Sequence, residues 1–132
     1  GNSGRWPCAA SGYDAAAAIT KFRAVKLTTA ENTVTPVTAA TDVVAGIAEF
    51  DCTAADILKG KGVNVIHAGI ATVEASAAIN VGVLVGMASD GRAAASGAGV
   101  RTLGLCVGNP AGGAGERISV LLMMPGVLGV GV

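Results

Sequence analysis

The sequence contains few aromatic residues. Trp6, Tyr13, Phe22 and Phe50 make up 3% of the 132 residues, and no aromatic residue follows Phe50. Hydrophobic residues make up 52%, but many of them are alanine. A core of alanine and aliphatic side chains removes less apolar area from water per residue than a core rich in Phe or Trp. We therefore expect one domain with a thin core, which is completed by burial against neighbouring molecules.

An excess of charge of one sign is also missing. Nine basic and nine acidic residues give a formal net charge of zero, and neither sign forms a run. Proteins that bind nucleic acid usually carry a basic stripe, often with aromatic residues that stack on the bases. The scattered charges therefore predict that no nucleic acid is bound. A net charge near zero also favours association between protein molecules.

The three cysteines are odd in number and far apart: they are Cys8, Cys52 and Cys106. This spacing argues against a disulfide framework, and none of them lies in a C-x-x-C pair of the kind that binds zinc. Small thiols, buried or half-buried in a reducing compartment, are the favoured interpretation. The sequence therefore predicts no metal site.

Residues that commonly carry catalysis are scarce. His67 is the only histidine, and it lies in an apolar segment, which favours a structural role. Glu49 and Asp51 are two residues apart and would share one face of a strand, where a solvated pair is favoured over a cation site. The glycine-rich run Gly108–Gly115 fits neither the dinucleotide-binding pattern nor the phosphate-loop pattern. We predict no catalytic residue, no cofactor and no enzyme activity.

No part of the sequence predicts contact with a membrane. Residues 1–18 lack the charged start and unbroken apolar run of a secretory signal. The apolar stretch Ile118–Val132 has 15 residues and is interrupted by Pro125 and several glycines. A helix that crosses a bilayer needs about 20 apolar residues, so this stretch is too short.

Short runs of β-branched and apolar residues alternate with turn residues along most of the chain. Thr53–Gly60 is the best candidate for a short helix or turn, because Thr53 could cap it and Gly60 could end it. Ser89–Arg92 contains Asp-Gly, which favours a hairpin, and Gly108–Gly115 would join two further strands. We predict a mostly β fold with little helix, either a small β-sandwich or a β-barrel. The predicted strands are Ile19–Leu27, Thr33–Thr38, Val43–Cys52, two segments in Gly62–Ala75 around Ala68 and Gly69, Val81–Ala88, Thr102–Val107 and Glu116–Met124.

The two ends of the chain differ from the middle. Residues 1–18 are rich in glycine and alanine without helical periodicity, and we predict that they form an extended N-terminal arm beside a β-rich domain of residues 19–132. Trp6 and Tyr13 in this arm are candidate anchors on a partner surface. The alternative for Trp6, with equal weight, is that it folds back over its own domain.

The C-terminal residues Pro125–Val132 contain no polar side chain. Burial within the same chain or against a neighbour would explain them, and contact between subunits is favoured because the core is thin. The candidate contacts with a neighbouring copy of this protein, or with another partner protein, are therefore Val127, Leu128 and Val130.

Several short segments follow one another in a distinctive order over about residues 43–124. They are Val44–Ala48, Lys61–Val65, Gly69, Val73–Ala75, Ala78–Gly82, Ser89–Arg92, Gly104, Gly108 and Gly115–Val120. Each segment is common alone, but in their order and spacing they resemble the capsid decoration (cement) proteins of tailed bacteriophages.

The resemblance implies a β-rich, non-catalytic virion protein that is made in the host cytoplasm and binds the capsid exterior. Its implied partners are the major capsid protein and further copies of itself, as a homo-oligomer with a trimer favoured. Binding by many copies to the assembled lattice would stabilise the shell by mass action. The alternatives are another structural component of the same particle, such as a head fibre base or a tail protein, or a β module that binds a carbohydrate or cell surface.

Overall fold

Residues 8–123 form nine strands and one helix. The structure, a computed structural model, describes residues 8–123. The prediction of a mostly β fold with little helix is confirmed. In chain order the elements are β1 (Cys8–Ala15), β2 (Ala24–Leu27), β3 (Thr33–Pro36), β4 (Gly46–Ala48), α1 (Ala54–Leu58), β5 (Val63–Glu74), β6 (Leu84–Met87), β7 (Ala93–Ala95), β8 (Thr102–Gly108) and β9 (Arg117–Leu122).

The first five strands form a closed ring, which we call the first lobe. The order is β1-β3-β2-β4-β5, and β1 also pairs with β5, so the hydrogen-bonded ring has no open edge between these strands. Only the β1–β3 pairing is parallel. The ring encloses a small aliphatic core of Ala15, Ile19, Val25, Val34, Ala48, Cys52, Val63 and Val65.

The remaining strands form a second lobe on the C-terminal part of β5. Their order is β5-β9-β8-β6-β7, and a parallel bridge from Ala93 to Ala75 brings β7 back to the end of β5. The core of this lobe includes Val73, Met87 and Leu103. It also includes Ile47 and Ile66, which lie on strands of the first lobe. The alternation of side chains along a strand therefore serves both cores, because Val65 belongs to one and Ile66 to the other.

Strand β5 connects the two lobes. Its N-terminal part pairs with β1 and β4, and from Ile70 onward it pairs with β9. Gly69 lies where the partners change and has a φ of 87°. The sequence predicted two strand segments around Ala68 and Gly69. The structure has one continuous strand here, and the positive φ of Gly69 coincides with the change of partner.

Two elements with local hydrogen bonds agree with the sequence prediction. Thr53 caps α1, since its side chain accepts from the backbone N–H of Asp56 while the Asp56 carboxylate accepts from the N–H of Thr53. Gly60, with a φ of 78°, follows the helix. The Ser89–Arg92 turn joins β6 to β7 as the predicted hairpin.

Other predicted strands are shorter in the structure. Of Ile19–Leu27, only the last four residues form β2, because Phe22 has a φ of 64° and interrupts the extended chain. Gly46 is in regular register with Val25 and is not a bulge. A Cβ atom there would lie 2.4 Å from the carbonyl oxygen of Ile66, so Gly46 permits close approach of β4 and β5.

The predicted shared strand face of Glu49 and Asp51 is wrong, because β4 ends at Ala48. Asp51 instead accepts a hydrogen bond of 2.8 Å from the backbone N–H of Lys21. The Glu49 carboxylate accepts a hydrogen bond of 3.4 Å from the side-chain amide of Asn64. The two carboxylates therefore belong to different local hydrogen-bond arrangements.

Part of the predicted N-terminal arm belongs to the first lobe. Residues Cys8–Ala15 are extended, but they form β1, which pairs with β5 along most of its length and with β3 at Asp14 and Ala15. The sequence did not predict this strand because Ala9–Gly12 are small, exposed residues without an alternating apolar pattern. Backbone hydrogen bonds hold the strand in the sheet. The first seven residues lie outside the described part of the chain.

Candidate interaction surface

An uninterrupted row of aliphatic side chains crosses four strands of the second lobe. In the register of the sheet, Ile70 lies opposite Leu121, Leu121 opposite Leu105, and Leu105 opposite Leu84. Residues directly opposite each other on neighbouring strands project to the same face. We call Ile70, Leu84, Leu105 and Leu121 the aliphatic row.

The aliphatic row faces away from the core of its lobe. Leu84 is 49% exposed and Leu121 37% exposed, whereas Val85 and Val120, the next residues on the same strands, are fully buried. Ile70 and Leu105 are half-buried. Met123, two residues beyond Leu121, is also largely exposed. The alternation that fills the core with Val85 and Val120 thus leaves large apolar groups on the outside.

The same face becomes polar and then charged along β5 and β9. Beyond the pair Ile70–Leu121 comes Thr72 opposite Ser119, and then Glu74 opposite Arg117. Ser119 is buried and its hydroxyl accepts a hydrogen bond of 3.0 Å from the side-chain amide of Asn109. An apolar centre bordered by polar and charged residues is the arrangement found in many protein interfaces.

The charged border is an ion-pair cluster around Glu74. The guanidinium of Arg23 lies 3.3 Å from one carboxylate oxygen of Glu74, and that of Arg92 lies 3.6 Å from the other. Arg92 also donates a bond of 2.8 Å to Asp90. Burial raises the pKa of Asp90, but hydrogen bonds from the backbone and side chain of Arg92 outweigh it, so the pKa lies below its usual value. The cluster joins the residue before β2, the end of β5 and the β6–β7 turn.

Phe22 lies beside this cluster and is covered by cations. The guanidinium carbon of Arg117 is 4.5 Å from the ring centroid, and the ammonium of Lys21 is 5.5 Å from it. The backbone of Phe22 donates to the carbonyl of Ala48 and accepts from the N–H of Glu74. These bonds hold the residue at its positive φ of 64°.

The first lobe has a shallow, open depression of about 390 Å³ at the ends of β1 and β5. Tyr13 and Phe50 line it together with the polar residues Asp14, Asn32 and Asn64. Tyr13 is half-buried and packs against the core of the lobe, while Phe50 is 58% exposed. The sequence suggested Tyr13 as a contact residue but did not associate it with Phe50, which is 37 positions away in the chain.

The other suggested contact residues, Trp6, Val127, Leu128 and Val130, lie outside the described residues. The described chain starts and ends at neighbouring positions. Cys8 lies opposite Gly69, and Leu121 lies opposite Ile70, so both ends of the described chain lie beside the middle of β5.

The histidine and the cysteines differ in burial and in hydrogen-bond partners. His67 is on β5, where its Nε2 atom is 3.2 Å from the hydroxyl of Ser11. Cys52 and Cys106 are buried and Cys8 is half-buried. Burial raises the pKa of the Cys52 thiol. Between residues 8 and 123, no three His, Cys, Asp or Glu side chains are grouped so that they could hold a metal ion.

The only helix among the described residues has five residues, and no helix there is long and apolar enough to cross a membrane. The distinctive features of the described residues are the aliphatic row, the ion-pair cluster and the depression beside Tyr13.

Comparison with known proteins identifies a fold. No family model matches the chain, and no curated protein matches its sequence. Among solved structures, the chain is similar to the N base of the head fibre protein gp8.5 of bacteriophage phi29, with a TM-score of 0.65 and 15% sequence identity. The similarity covers 89% of this chain and 95% of that chain. Nearly the whole of that structure is therefore matched by the fold described here.

Proposed function

We propose that this chain is a structural protein of a phage virion that binds the outer surface of the capsid. The observation that carries the proposal is the match, over 89% of the chain, to the base of a phage head fibre. The resemblance to capsid decoration proteins in residues 43–124 supports the same location. Decoration of the shell is the first candidate role.

The second candidate is the base of a head fibre, and the solved structure favours it specifically. Both roles place the protein on the capsid exterior with the major capsid protein as its partner. They differ in what the bound protein carries: a decoration protein reinforces the shell by itself, whereas a base holds a projecting fibre. An image of the assembled particle distinguishes these two roles.

We also propose that copies of the chain associate through the aliphatic row, with a trimer as the favoured oligomer. Burying the exposed half of a leucine side chain contributes about 1 kcal/mol, and Leu84, Leu121 and Met123 each expose a large fraction. After Met123 the sequence continues with nine residues that have no polar side chain. A second copy seated on the row would exclude water from these exposed apolar side chains.

Association would also strengthen binding to the shell. A formal net charge of zero gives no long-range repulsion between copies. An oligomer that holds several capsid-binding surfaces gains avidity, so each contact with the shell can be weak. Protein that binds the assembled lattice in preference to its loosened form stabilises the lattice in proportion to the binding free energy.

The test is to mix the purified full chain with shells of its phage that were assembled without it. Co-sedimentation measures binding, and electron cryomicroscopy locates the bound protein. We expect density at regular positions on the outer surface of the shell. Absence of binding to complete shells, or binding confined to the tail, would overturn the proposal.

A further inference from the structure

The depression of the first lobe combines features that are rare elsewhere in the described chain. Eight residues line it, and they include two of the three aromatic residues found in residues 8–123. The third, Phe22, is already covered by Arg117 and Lys21. Within residues 8–123, Tyr13 and Phe50 are therefore the aromatic rings that remain for a ligand, and both line one depression.

Most polar side-chain groups of the depression have no hydrogen-bond partner within residues 8–123. The side chains of Asp14 and Asn32 make no hydrogen bond to another described residue, and the same is true of the Tyr13 hydroxyl. The side-chain amide nitrogen of Asn64 donates a hydrogen bond of 3.4 Å to the Glu49 carboxylate. The side-chain carbonyl oxygen of Asn64 remains as an acceptor. Donors and acceptors thus surround the two rings.

The backbone holds these groups in place. The N–H of Asp14 donates to the carbonyl of Asn32 at 2.9 Å, which fixes the strand β1 against the turn before β3. Asn32 has a φ of 54°, a conformation that asparagine tolerates better than most residues. A Cβ atom on Gly62 would lie 2.5 Å from the carbonyl oxygen of Tyr13, so a glycine keeps β1 and β5 close behind the rings.

The charge of the depression limits the ligand class. None of the eight lining residues is basic, and one, Asp14, is acidic. A phosphate, sulfate or carboxylate group would therefore meet no cation and would be repelled by Asp14. The volume of about 390 Å³ is at the lower end of the range of roughly 300–1,000 Å³ for small-molecule sites.

We propose that this depression binds a neutral saccharide. A sugar ring presents an apolar C–H face to aromatic rings and hydroxyl groups at its edge to amide and carboxylate oxygens. Tyr13 and Phe50 supply the rings, Asp14 and Asn64 supply acceptors, and the Asn32 amide supplies both a donor and an acceptor. Because the depression is open, most of the ligand stays in water and the Kd is on the order of millimolar.

The experiment is a titration of the isotope-labelled full chain with neutral monosaccharides and disaccharides, followed by NMR. We expect at least one sugar to shift the backbone amide signals of Gly12, Asn64 and their neighbours around the depression. Phe50→Ala weakens that binding at least about tenfold. Leu58→Ala is the matched control, because Leu58 is 89% exposed on α1 and does not line the depression.

Three outcomes overturn the proposal. One is that no sugar in the panel shifts these signals at a sugar concentration of roughly 50 mM, about 50 times the expected Kd. A second is binding that Phe50→Ala and Leu58→Ala affect equally. The third is that Phe50→Ala weakens binding to capsid shells while no sugar binds, which would assign the depression to protein contact. Shell binding and sugar binding are measured separately, so failure of one leaves the other standing.

Discussion

The backbone N–H of Ala24 donates a hydrogen bond of 2.8 Å to the carbonyl oxygen of Gly91. Ala24 belongs to β2 of the first lobe, and Gly91 lies in the β6–β7 turn of the second, so this bond joins the lobes. Gly91 has a φ of 85°, and a Cβ atom there would lie 2.7 Å from the carbonyl oxygen of Ala24. The contact therefore requires glycine for two reasons, its backbone conformation and its lack of a side chain.

We predict that Gly91→Ala lowers the free energy of unfolding by about 2–4 kcal/mol. The positive φ costs roughly 1 kcal/mol or more for a residue with a Cβ atom, and moving the turn away from β2 adds to it. Urea denaturation followed by circular dichroism measures the change. Gly99→Ala is the control, since Gly99 has a φ of 77° but open space around its Cβ position.

The control separates the two causes. Gly99→Ala carries only the conformational cost, so it should destabilise the protein by about 1 kcal/mol. Equal losses for the two variants would mean that close contact between the lobes does not contribute to stability at Gly91.

The second prediction concerns the Asp42 carboxylate and the dependence of stability on pH. The backbone N–H of Thr38 donates to it at 3.0 Å and the ammonium of Lys26 at 2.9 Å, and together with the N–H of Ala39 they lower the pKa of Asp42 from 3.8 to about 2. Because the folded pKa is below the unfolded value, the carboxylate stabilises the fold above about pH 4. That stabilisation is lost as the pH falls toward about 2.

We therefore expect Asp42→Asn to have a lower Tm than the unchanged protein at pH 7. The difference between the two should shrink between pH 4 and pH 2, because both proteins then have a neutral group at this position. Thermal unfolding at a series of pH values measures it. A difference in Tm that is constant from pH 7 to pH 2 would contradict the role assigned to the charge.

The third prediction concerns the ion-pair cluster. Glu74→Gln removes the charge that faces Arg23 and Arg92 and should cost about 1 kcal/mol, since all three side chains are partly exposed. The cost should decrease in about 1 M salt, where charges are screened over roughly 3 Å. Glu31→Gln is the control, because Glu31 is exposed and its side chain makes no ion pair with a described residue. Chemical denaturation of both variants at low and high salt tests the prediction, which fails if salt leaves the Glu74→Gln cost unchanged.

The fourth prediction tests the aliphatic row. We expect Leu105→Glu to shift the protein from oligomer to monomer, because a carboxylate in the middle of the row cannot be buried without a partner. Sedimentation velocity over a range of concentrations measures the change. Leu58→Glu, on the exposed face of α1, is the control and should leave the oligomer intact. A monomeric unchanged protein, or an oligomer that survives Leu105→Glu, would reject association through the row.

Features that depend on neighbouring residues were predictable from the sequence. The cap of α1 involves Thr53 and Asp56, three positions apart, and the β6–β7 turn depends on Asp90 and Gly91. Strand β1 was not predictable, because its small exposed residues carry no apolar alternation and its hydrogen-bond partners lie about 55 residues later in β5. The interruption at Phe22 was also missed, since its positive φ is held by bonds to Ala48 and Glu74.

The sequence by itself determined that the protein is mostly β, with a core of small and aliphatic side chains and a formal net charge of zero. These properties follow from composition and from patterns only a few residues long. The tertiary structure alone decided which residues meet. The aliphatic row takes one residue from each of β5, β6, β8 and β9, and the depression joins Tyr13 to Phe50. Such sets depend on strand register, which is fixed by long-range backbone hydrogen bonds and leaves no local signal in the chain.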